Sequence, residues 1–221
     1  MTSLRLELFE AQAARWPASG RHVLAQYDDD TVVVYQAYRP SIGRFAAEHG
    51  YFGGEFSLGR MSWIKPNFLW MMYRCGWAAK EGQEVVLAVW LARAAFDDIL
   101  ALAVPSSFDD DRYVDRAAWQ ADVAGSDVRL QWDPDHDPHG RPVTRRAVQL
   151  GLRGDALASY ARAQGARETV SRAWIRKIED VTPFVKEQHA RLQRGISMLE
   201  TPAERVYPCL PTSKVGADAR S

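Results

Sequence analysis

Three cationic side chains stand among the largest apolar side chains of this sequence, in the segment RMSWIKPNFLWMMYRCGW at residues 60–77. They are Arg60, Lys65 and Arg74, and the same segment contains three tryptophans. A buried guanidinium or ammonium group is costly unless it meets a carboxylate or a phosphate. Two interpretations are therefore open. The cations reach solvent while the aromatic rings form core, or the cations bind an anionic ligand on whose ring an aromatic side chain stacks.

The order of elements around these cations favours a ligand cleft. Arg60 falls on a β-like stretch that ends at Pro66, and Lys65 stands just before the helix that follows, so both can face one cleft. The N-terminus of that helix adds its own preference for anions. Arg74 lies more than one turn further along the helix. We predict that the three cations form the positive wall of a cleft. The polar side chains expected to converge there are Ser62, Asn67 and Tyr73.

A second group of polar residues lies in QWDPDHDPHG, residues 131–140, between two β-like runs. Alternating aspartates resemble the start of a calcium loop, but the later Gly and Glu ligands of an EF-hand are missing. We expect a structural turn whose Asp side chains accept hydrogen bonds from backbone amides. The alternatives are a contribution to the ligand site and a metal site, and no metal is predicted.

Arginines follow the acidic run in RRAVQLGLRG. On a strand Arg145 and Arg146 point to opposite faces, so they cannot serve the same surface. One is expected to pair with the acidic run across a hairpin, and the other to be available for phosphate.

Strand and helix patterns are intermixed in the chain without a regular βαβ rhythm, which predicts an α+β fold. We expect one domain, residues 1–207, with a mixed or antiparallel central sheet, flanking helices and a loosely held tail at 208–221. The run EVVLAVWL has the continuous apolar pattern of a central strand covered on both faces. A helix after Asn67 is apolar nearly all round and must be largely buried. Residues 128–152 predict a long hairpin.

Composition excludes several classes of protein. Lys and Arg number 28 against 28 Asp and Glu, so nothing global indicates an acidic partner. A local basic cleft could still meet phosphates, which leaves nucleic acid open as a partner. The two cysteines do not make a secreted disulfide scaffold, no signal peptide is recognisable and no long apolar run occurs. These features predict a cytoplasmic protein without a membrane partner.

The quoted motifs are long enough to be compared with known families. RMSWIKPNFLWMMYRCGW with KEGQEVVLAVWL, QWDPDHDPHG and RRAVQLGLRG, preceded by VVYQAYRPSI, resembles the uncharacterised microbial family named domain of unknown function 4291. The resemblance covers roughly residues 24–208. It implies a family but no activity.

The order of elements is more loosely similar to the NAD-binding half of ADP-ribosyltransferase-like folds. In those enzymes a first strand offers Arg or His to NAD, a second offers Ser or Tyr, and a later strand offers a catalytic Glu. The resemblance implies Tyr38 or Arg39 in the first role and Ser62 in the second. Near the third position this chain has Gln131 and Asp133 and no glutamate.

Cleavage of the nicotinamide–ribose bond requires stabilisation of an oxocarbenium-like state, which a fixed carboxylate provides. Asp133 is the candidate for that role. The sequence thus predicts an NAD- or nucleotide-binding protein that uses NAD to modify a nucleic acid, a protein or a small molecule. The alternative is a module that binds a nucleotide or an RNA end without chemistry.

Overall fold

The structure, a computed structural model, describes residues 3–162 and 174–208. It confirms the single-domain α+β class with mixed and antiparallel sheets. The strands are β1 (Leu6–Leu8), β2 (Gly20–Arg21), β3 (Leu24–Ala25), β4 (Thr31–Tyr38), β5 (Ser62–Ile64), β6 (Val85–Ala92), β7 (Ala103–Pro105), β8 (Val128–His136), β9 (Pro142–Leu152), β10 (Ile175–Asp180), β11 (Glu200–Pro202) and β12 (Arg205–Val206). The helices are α1 (Phe9–Ala13), α2 (Pro40–His49), α3 (Phe68–Cys75), α4 (Arg93–Leu102), α5 (Arg116–Gly125), α6 (Gly154–Ala161) and α7 (Thr182–Arg194), followed by a 3₁₀ turn at Ile196–Met198.

One antiparallel sheet has the order β10-β6-β4. Every residue of the middle strand, β6, is buried. Its alternate side chains enter two different apolar clusters, with Leu87 and Val89 in one and Val86 and Trp90 in the other. The continuous apolar run therefore fills a strand covered on both faces, as predicted.

The second sheet has the order β2-β9-β8-β7, and β5 also pairs with β9. The β8–β9 hairpin is antiparallel, as predicted, whereas β7 joins β8 and β2 joins β9 in parallel. Gln131 and Gln149 are directly opposite each other on this hairpin. Cross-strand partners have side chains on the same face, so this register places two amides side by side.

The two sheets are joined by a single bridge between Tyr35 and Lys65. The amide of Tyr35 donates to the carbonyl of Lys65 at 2.7 Å, and the amide of Lys65 donates back at 3.2 Å. This bridge holds the end of β5 beside the second half of β4. The segment between β5 and α3 is therefore fixed by both sheets.

Asn67 is the N-cap of helix α3, and its side chain accepts a hydrogen bond from the Trp70 amide at 2.7 Å. Gly76, in the left-handed conformation, is the C-cap of the helix. Six of its eight residues are buried, which agrees with a helix that is apolar nearly all round. Tyr73 and Arg74 are the exceptions and are exposed. They mark the one side of the helix that is open.

Residues 4–15 alternate leucines and alanines with charged residues at near-helical spacing, which predicts one short helix, but they form a short strand followed by a five-residue helix. The strand forms because Leu6 pairs with Pro202 of β11. Tertiary pairing thus overrides the local helical spacing.

The sequence TPFVKEQHARLQRG predicts a helix with Thr182 as its N-cap and Pro183 at its first position, but Thr182 is already the first helical residue of α7. Its amide donates to Asp180 Oδ1 at 2.9 Å, and its hydroxyl accepts from the amide of Val86. The pattern RGDALASYARAQG predicts a helix that stops at Gly165, and TVSRAWIRKIEDVT predicts a strand. Gly165, the first residues of that strand and almost all of the tail lie outside the described residues. None of the helices in the described ranges is long and apolar enough to cross a membrane.

Candidate functional site

A cavity of about 640 Å³ opens between the end of β4, strand β5, helix α3 and the β8–β9 hairpin. The elements converge here because the Tyr35–Lys65 bridge holds β5 next to β4. The volume falls in the range typical of small-molecule sites. The predicted site residues that line the cavity are Tyr38, Arg39, Arg60, Ser62, Lys65, Arg74 and Gln131.

One side of the cavity carries a connected set of hydroxyl and amide groups. The hydroxyls of Tyr38 and Ser62 are 2.6 Å apart, and Gln36 Nε2 donates to each at 2.8 Å. The Gln36 carbonyl oxygen accepts from the Tyr160 hydroxyl at 2.5 Å, which fixes the orientation of the amide. Burial raises the pKa of Tyr38, so its hydroxyl remains protonated. These groups are suited to recognising a polar ligand.

Ser62 has no general base within hydrogen-bonding distance among the described residues, since its Oγ meets only Tyr38 and Gln36. A serine nucleophile requires an adjacent base. The described residues therefore provide no group that would activate the Ser62 hydroxyl as a nucleophile.

Lys65 is the buried cation of the cavity wall, with only 5% of its surface exposed. Burial and, to a lesser extent, the nearby charge of Arg74 lower the pKa of its ammonium group to about 8, whereas Asp133 opposes the shift. Among the described residues, its Nζ makes one hydrogen bond, to the carbonyl of Trp63 at 3.5 Å. That distance is at the long limit for a hydrogen bond. The ammonium group is thus buried with little compensation from the protein.

Three arginines complete the positive wall. Arg39, at the start of α2, forms an exposed ion pair with Glu55 at 2.8 Å. Arg60 and Arg74 are exposed and make no ion pair within residues 3–162 and 174–208. The predicted convergence of Arg60, Lys65 and Arg74 on one cavity agrees with this geometry.

Asp133 is hydrogen-bonded to two residues of the cavity wall. Gln131 Nε2 donates to its Oδ1 at 2.9 Å, and Gln149 Nε2 donates to its Oδ2 at 2.8 Å. Both glutamines line the cavity, whereas Asp133 does not. The carboxylate is therefore held by two amides of the wall and influences Lys65 through its charge.

Asn67 and Tyr73 were expected in the same site, but both lie outside the cavity lining. Asn67 is buried and caps α3, and its amide nitrogen donates to Glu204 at 3.3 Å. Tyr73 is exposed and stacks on His136, with ring centroids 3.5 Å apart. A capping bond and a ring contact account for these two side chains.

A side chain of the protein itself accepts a hydrogen bond from the N-terminus of α3. Glu204 Oε1 accepts a hydrogen bond from the amide of Phe68 at 2.6 Å. Burial raises the pKa of Glu204 well above its ordinary range, the Phe68 amide opposes the shift, and Asp135 adds to it. The hydrogen-bond acceptor at this helix end is therefore an internal carboxyl group.

The acidic run 131–140 forms the structural turn that its sequence predicts. Asp137 Oδ1 accepts from the amides of His139 and Arg141, each at 2.9 Å. Asp135 pairs with Arg145 across the hairpin at 2.6 Å, while Arg146 on the other face is exposed. The prediction that only one of the two arginines pairs with the run is confirmed.

Sequence reasoning missed Gln36 and Glu55 as members of the cavity wall and Glu204 as the partner of α3. Gln36 had a signal, because it is a polar residue within the apolar strand TVVVYQAY. Glu204 had none, since 136 positions separate it from Phe68.

A model of a known protein family matches residues 22–207. The chain belongs to the family described as a domain of unknown function, DUF4291. The matched range includes every residue named above as lining the cavity. The comparison confirms the predicted family, whereas the ADP-ribosyltransferase-like fold has no support from it. Neither the curated proteins nor the solved structures contain a match to this DUF4291 chain.

Proposed function

We propose that this DUF4291 protein binds a phosphate-bearing nucleotide in the cavity, with NAD as the cofactor candidate. The observation that carries the proposal is the surplus of positive charge on the cavity wall. Arg39, Arg60, Lys65 and Arg74 face it, and within the described residues only Arg39 has a carboxylate partner. Arginine and lysine side chains that converge on a concave surface are the usual receptors of phosphate groups.

The remaining lining residues suit the other parts of a nucleotide. Phe56 and Trp63 offer aromatic surface to a base. The linked groups of Gln36, Tyr38 and Ser62 offer donors and acceptors to sugar hydroxyls. Charge, ring and hydroxyl recognition are thus available in one cavity.

Calorimetric titration with ADP, NAD and adenosine tests the proposal. ADP and NAD should bind saturably, whereas adenosine, which lacks phosphate, should bind much more weakly. Arg60→Ala or Arg74→Ala should weaken ADP binding by about 1–3 kcal/mol, the range for a lost charge-assisted hydrogen bond. Arg146→Ala is the matched control, because Arg146 is an exposed arginine outside the cavity.

Two results would count against the proposal. The first is equal affinity for ADP and adenosine, which would show that phosphate is not recognised. The second is an equal loss of affinity in Arg146→Ala and Arg60→Ala, which would show that ADP senses only the overall charge of the protein.

A second candidate function is transfer of ADP-ribose from NAD, and the charge of Asp133, which lies behind the two glutamines of the cavity wall, supports it. Its carboxylate is oriented by Gln131 and Gln149 of the cavity wall. In this reaction the nicotinamide–ribose bond breaks, its electron pair leaves with nicotinamide, and a nucleophile of the acceptor bonds to the ribose carbon and releases a proton. A fixed carboxylate stabilises the positive charge that develops on the ribose.

Release of nicotinamide from NAD, with and without added nucleic acid, protein or small-molecule acceptors from cell extract, tests the transfer. We expect release by the native protein and its loss in Asp133→Asn, which retains the hydrogen-bonding shape and removes the charge. Saturable binding of NAD without release would identify a non-catalytic module. A 5′-phosphorylated RNA included as a ligand then shows whether that module binds RNA ends, which predicts a steep decrease of affinity with salt.

A further inference from the structure

We infer that Lys65 is a nucleophile that forms an imine with the aldehyde carbon of a phosphate-bearing sugar bound in the cavity. The inference rests on the proposed function in one respect, since the same arginines hold the phosphate. It adds a covalent role for Lys65 and a substrate class, sugars that carry both a phosphate and a free aldehyde group.

Backbone hydrogen bonds fix the position of Lys65 in the cavity wall. Its amide and carbonyl both bond to Tyr35 of β4, and the preceding residues belong to β5. The side chain is 5% exposed and lines the cavity. A reacting group held by regular structure on both sides is positioned before the substrate arrives.

The amine is also available for reaction. Among the described residues it has no carboxylate partner, and its one hydrogen bond is 3.5 Å long. Burial and the charge of Arg74 lower its pKa to about 8, so roughly one molecule in ten has a neutral amine at pH 7. A desolvated lysine next to another cation is an established arrangement for an amine nucleophile.

The chemistry needs no additional reactant. The lone pair of the neutral Lys65 nitrogen attacks the aldehyde carbon, and the carbonyl electron pair moves to oxygen. The resulting carbinolamine loses that oxygen as water, together with the two hydrogens of the amine, and a carbon–nitrogen double bond remains. Arg60 and Arg74 supply the binding energy that holds the phosphate during these steps, while Asp133 acts on the lysine through its charge.

Borohydride reduction of the imine to a stable amine, followed by peptide mass spectrometry, tests the inference. The 221-residue protein is incubated separately with ADP-ribose, ribose 5-phosphate and ribose, and ADP binding is measured in parallel by calorimetry. We expect modification at Lys65 at least about tenfold above that at exposed lysines such as Lys186, because among the described lysines only Lys65 stands beside the arginines that hold the phosphate. Ribose should give little modification because it lacks phosphate.

The comparison of ADP-ribose with ribose 5-phosphate distinguishes a nucleotide-derived substrate from a simple phosphosugar. Lys65→Arg retains the positive charge and should abolish the adduct while ADP still binds. The matched control, Lys186→Arg, should leave the adduct unchanged.

The inference and the proposed function fail in different ways. Normal ADP binding with no adduct, or with an adduct spread evenly over exposed lysines, would overturn the role of Lys65 and leave nucleotide binding intact. An adduct at Lys65 with ribose 5-phosphate in a protein that does not bind ADP would support the role of Lys65 as a nucleophile. The same result would overturn the proposal that the cavity binds a nucleotide. Equal modification by ribose and ribose 5-phosphate would overturn the phosphate-bearing substrate class.

Discussion

Two charged clusters lie near the segment that joins β5 to α3, and they differ in how their buried charges are compensated. The closed cluster consists of Asp135, Arg145 and Glu204. Arg145 donates two hydrogen bonds to Asp135, at 2.6 and 2.8 Å, and Glu204 accepts from the amide of Phe68. The open cluster consists of Arg60, Lys65 and Arg74, around the cavity.

The two clusters differ in whether their buried charges have partners within the described part of the protein. Charges that lose water on folding need partners, and the closed cluster supplies them from the chain itself. In the open cluster Lys65 is buried with one long hydrogen bond. We interpret the missing partner as an external anion, because a protein gains no stability from an uncompensated buried ammonium group.

The largest effect is expected in the closed cluster. Asp135→Ala leaves the Arg145 guanidinium without its partner, in a site where the two side chains are 1% and 10% exposed. We expect the free energy of unfolding to fall by about 3–5 kcal/mol, measured by urea denaturation. ADP affinity of the folded protein should stay unchanged.

Arg141→Ala serves as its control, since Arg141 pairs with Asp137 in an exposed position and should contribute less than about 1 kcal/mol. If the two variants lost equal stability, the closed cluster would have no special structural role.

The next effect has the opposite sign and lies in the open cluster. Lys65→Met removes a buried amine whose pKa is lowered from 10.5 to about 8. At pH 7 the variant should be more stable than the native protein, by up to about 3 kcal/mol. It should also lose most of its affinity for ADP.

The pH dependence follows from the direction of the shift. Because the folded-state pKa is lowered, the unfolded chain binds more protons between pH 8 and 10.5, and the native protein gains stability as the pH rises through that window. Lys65→Met should lack this gain, so the difference between the two proteins should shrink towards pH 10.5 in denaturation series. A variant that is less stable than the native protein at every pH would make Lys65 a structural residue.

The open cluster was partly predictable because its cations are close in sequence. Arg60, Lys65 and Arg74 lie close together in sequence, although Arg60 falls in the bend before β5 and not on the predicted strand, and local spacing was enough to expect one cavity. The buried strand β6 and the β8–β9 hairpin were predicted for the same reason, since their patterns are continuous.

The closed cluster was not predictable to the same extent. The pairing of Asp135 with Arg145 follows from the hairpin, but Glu204 comes from a distant part of the chain. Asn67 was assigned to the ligand although an asparagine before a helix commonly acts as an N-cap, so that signal was present and was misread. Helical spacing also placed Tyr73 and Arg74 together, and only the fold separates the ring contact with His136 from the cavity.

A smaller effect tests the protonation of the closed cluster. Burial raises the pKa of Glu204, so the folded state binds more protons than the unfolded state above the ordinary pKa of a glutamate. Native stability should therefore fall as the pH rises from that value towards the folded-state pKa. Glu204→Gln is uncharged at every pH and should lack this fall.

Between pH 5 and 8 the difference in unfolding free energy between the native protein and Glu204→Gln should change in favour of the variant as the pH rises. Parallel stability curves for the two proteins would show that Glu204 is ionised in the folded state throughout, and that the closed cluster holds a charge there.

The smallest effect is expected at the rim of the open cluster, where Glu55 forms an ion pair with Arg39. The two side chains are 61% and 55% exposed and 2.8 Å apart, so their ion pair contributes only about 0.2–1 kcal/mol. A ligand phosphate must compete with Glu55 for this guanidinium. Glu55→Gln should therefore tighten ADP binding by up to about fivefold, with unfolding free energy unchanged.

The gain should disappear in Glu55→Gln combined with Arg39→Ala, because the competition needs both partners. Equal tightening with and without Arg39 would mean that Glu55 repels the ligand directly, and Arg39 would then be removed from the phosphate-binding wall.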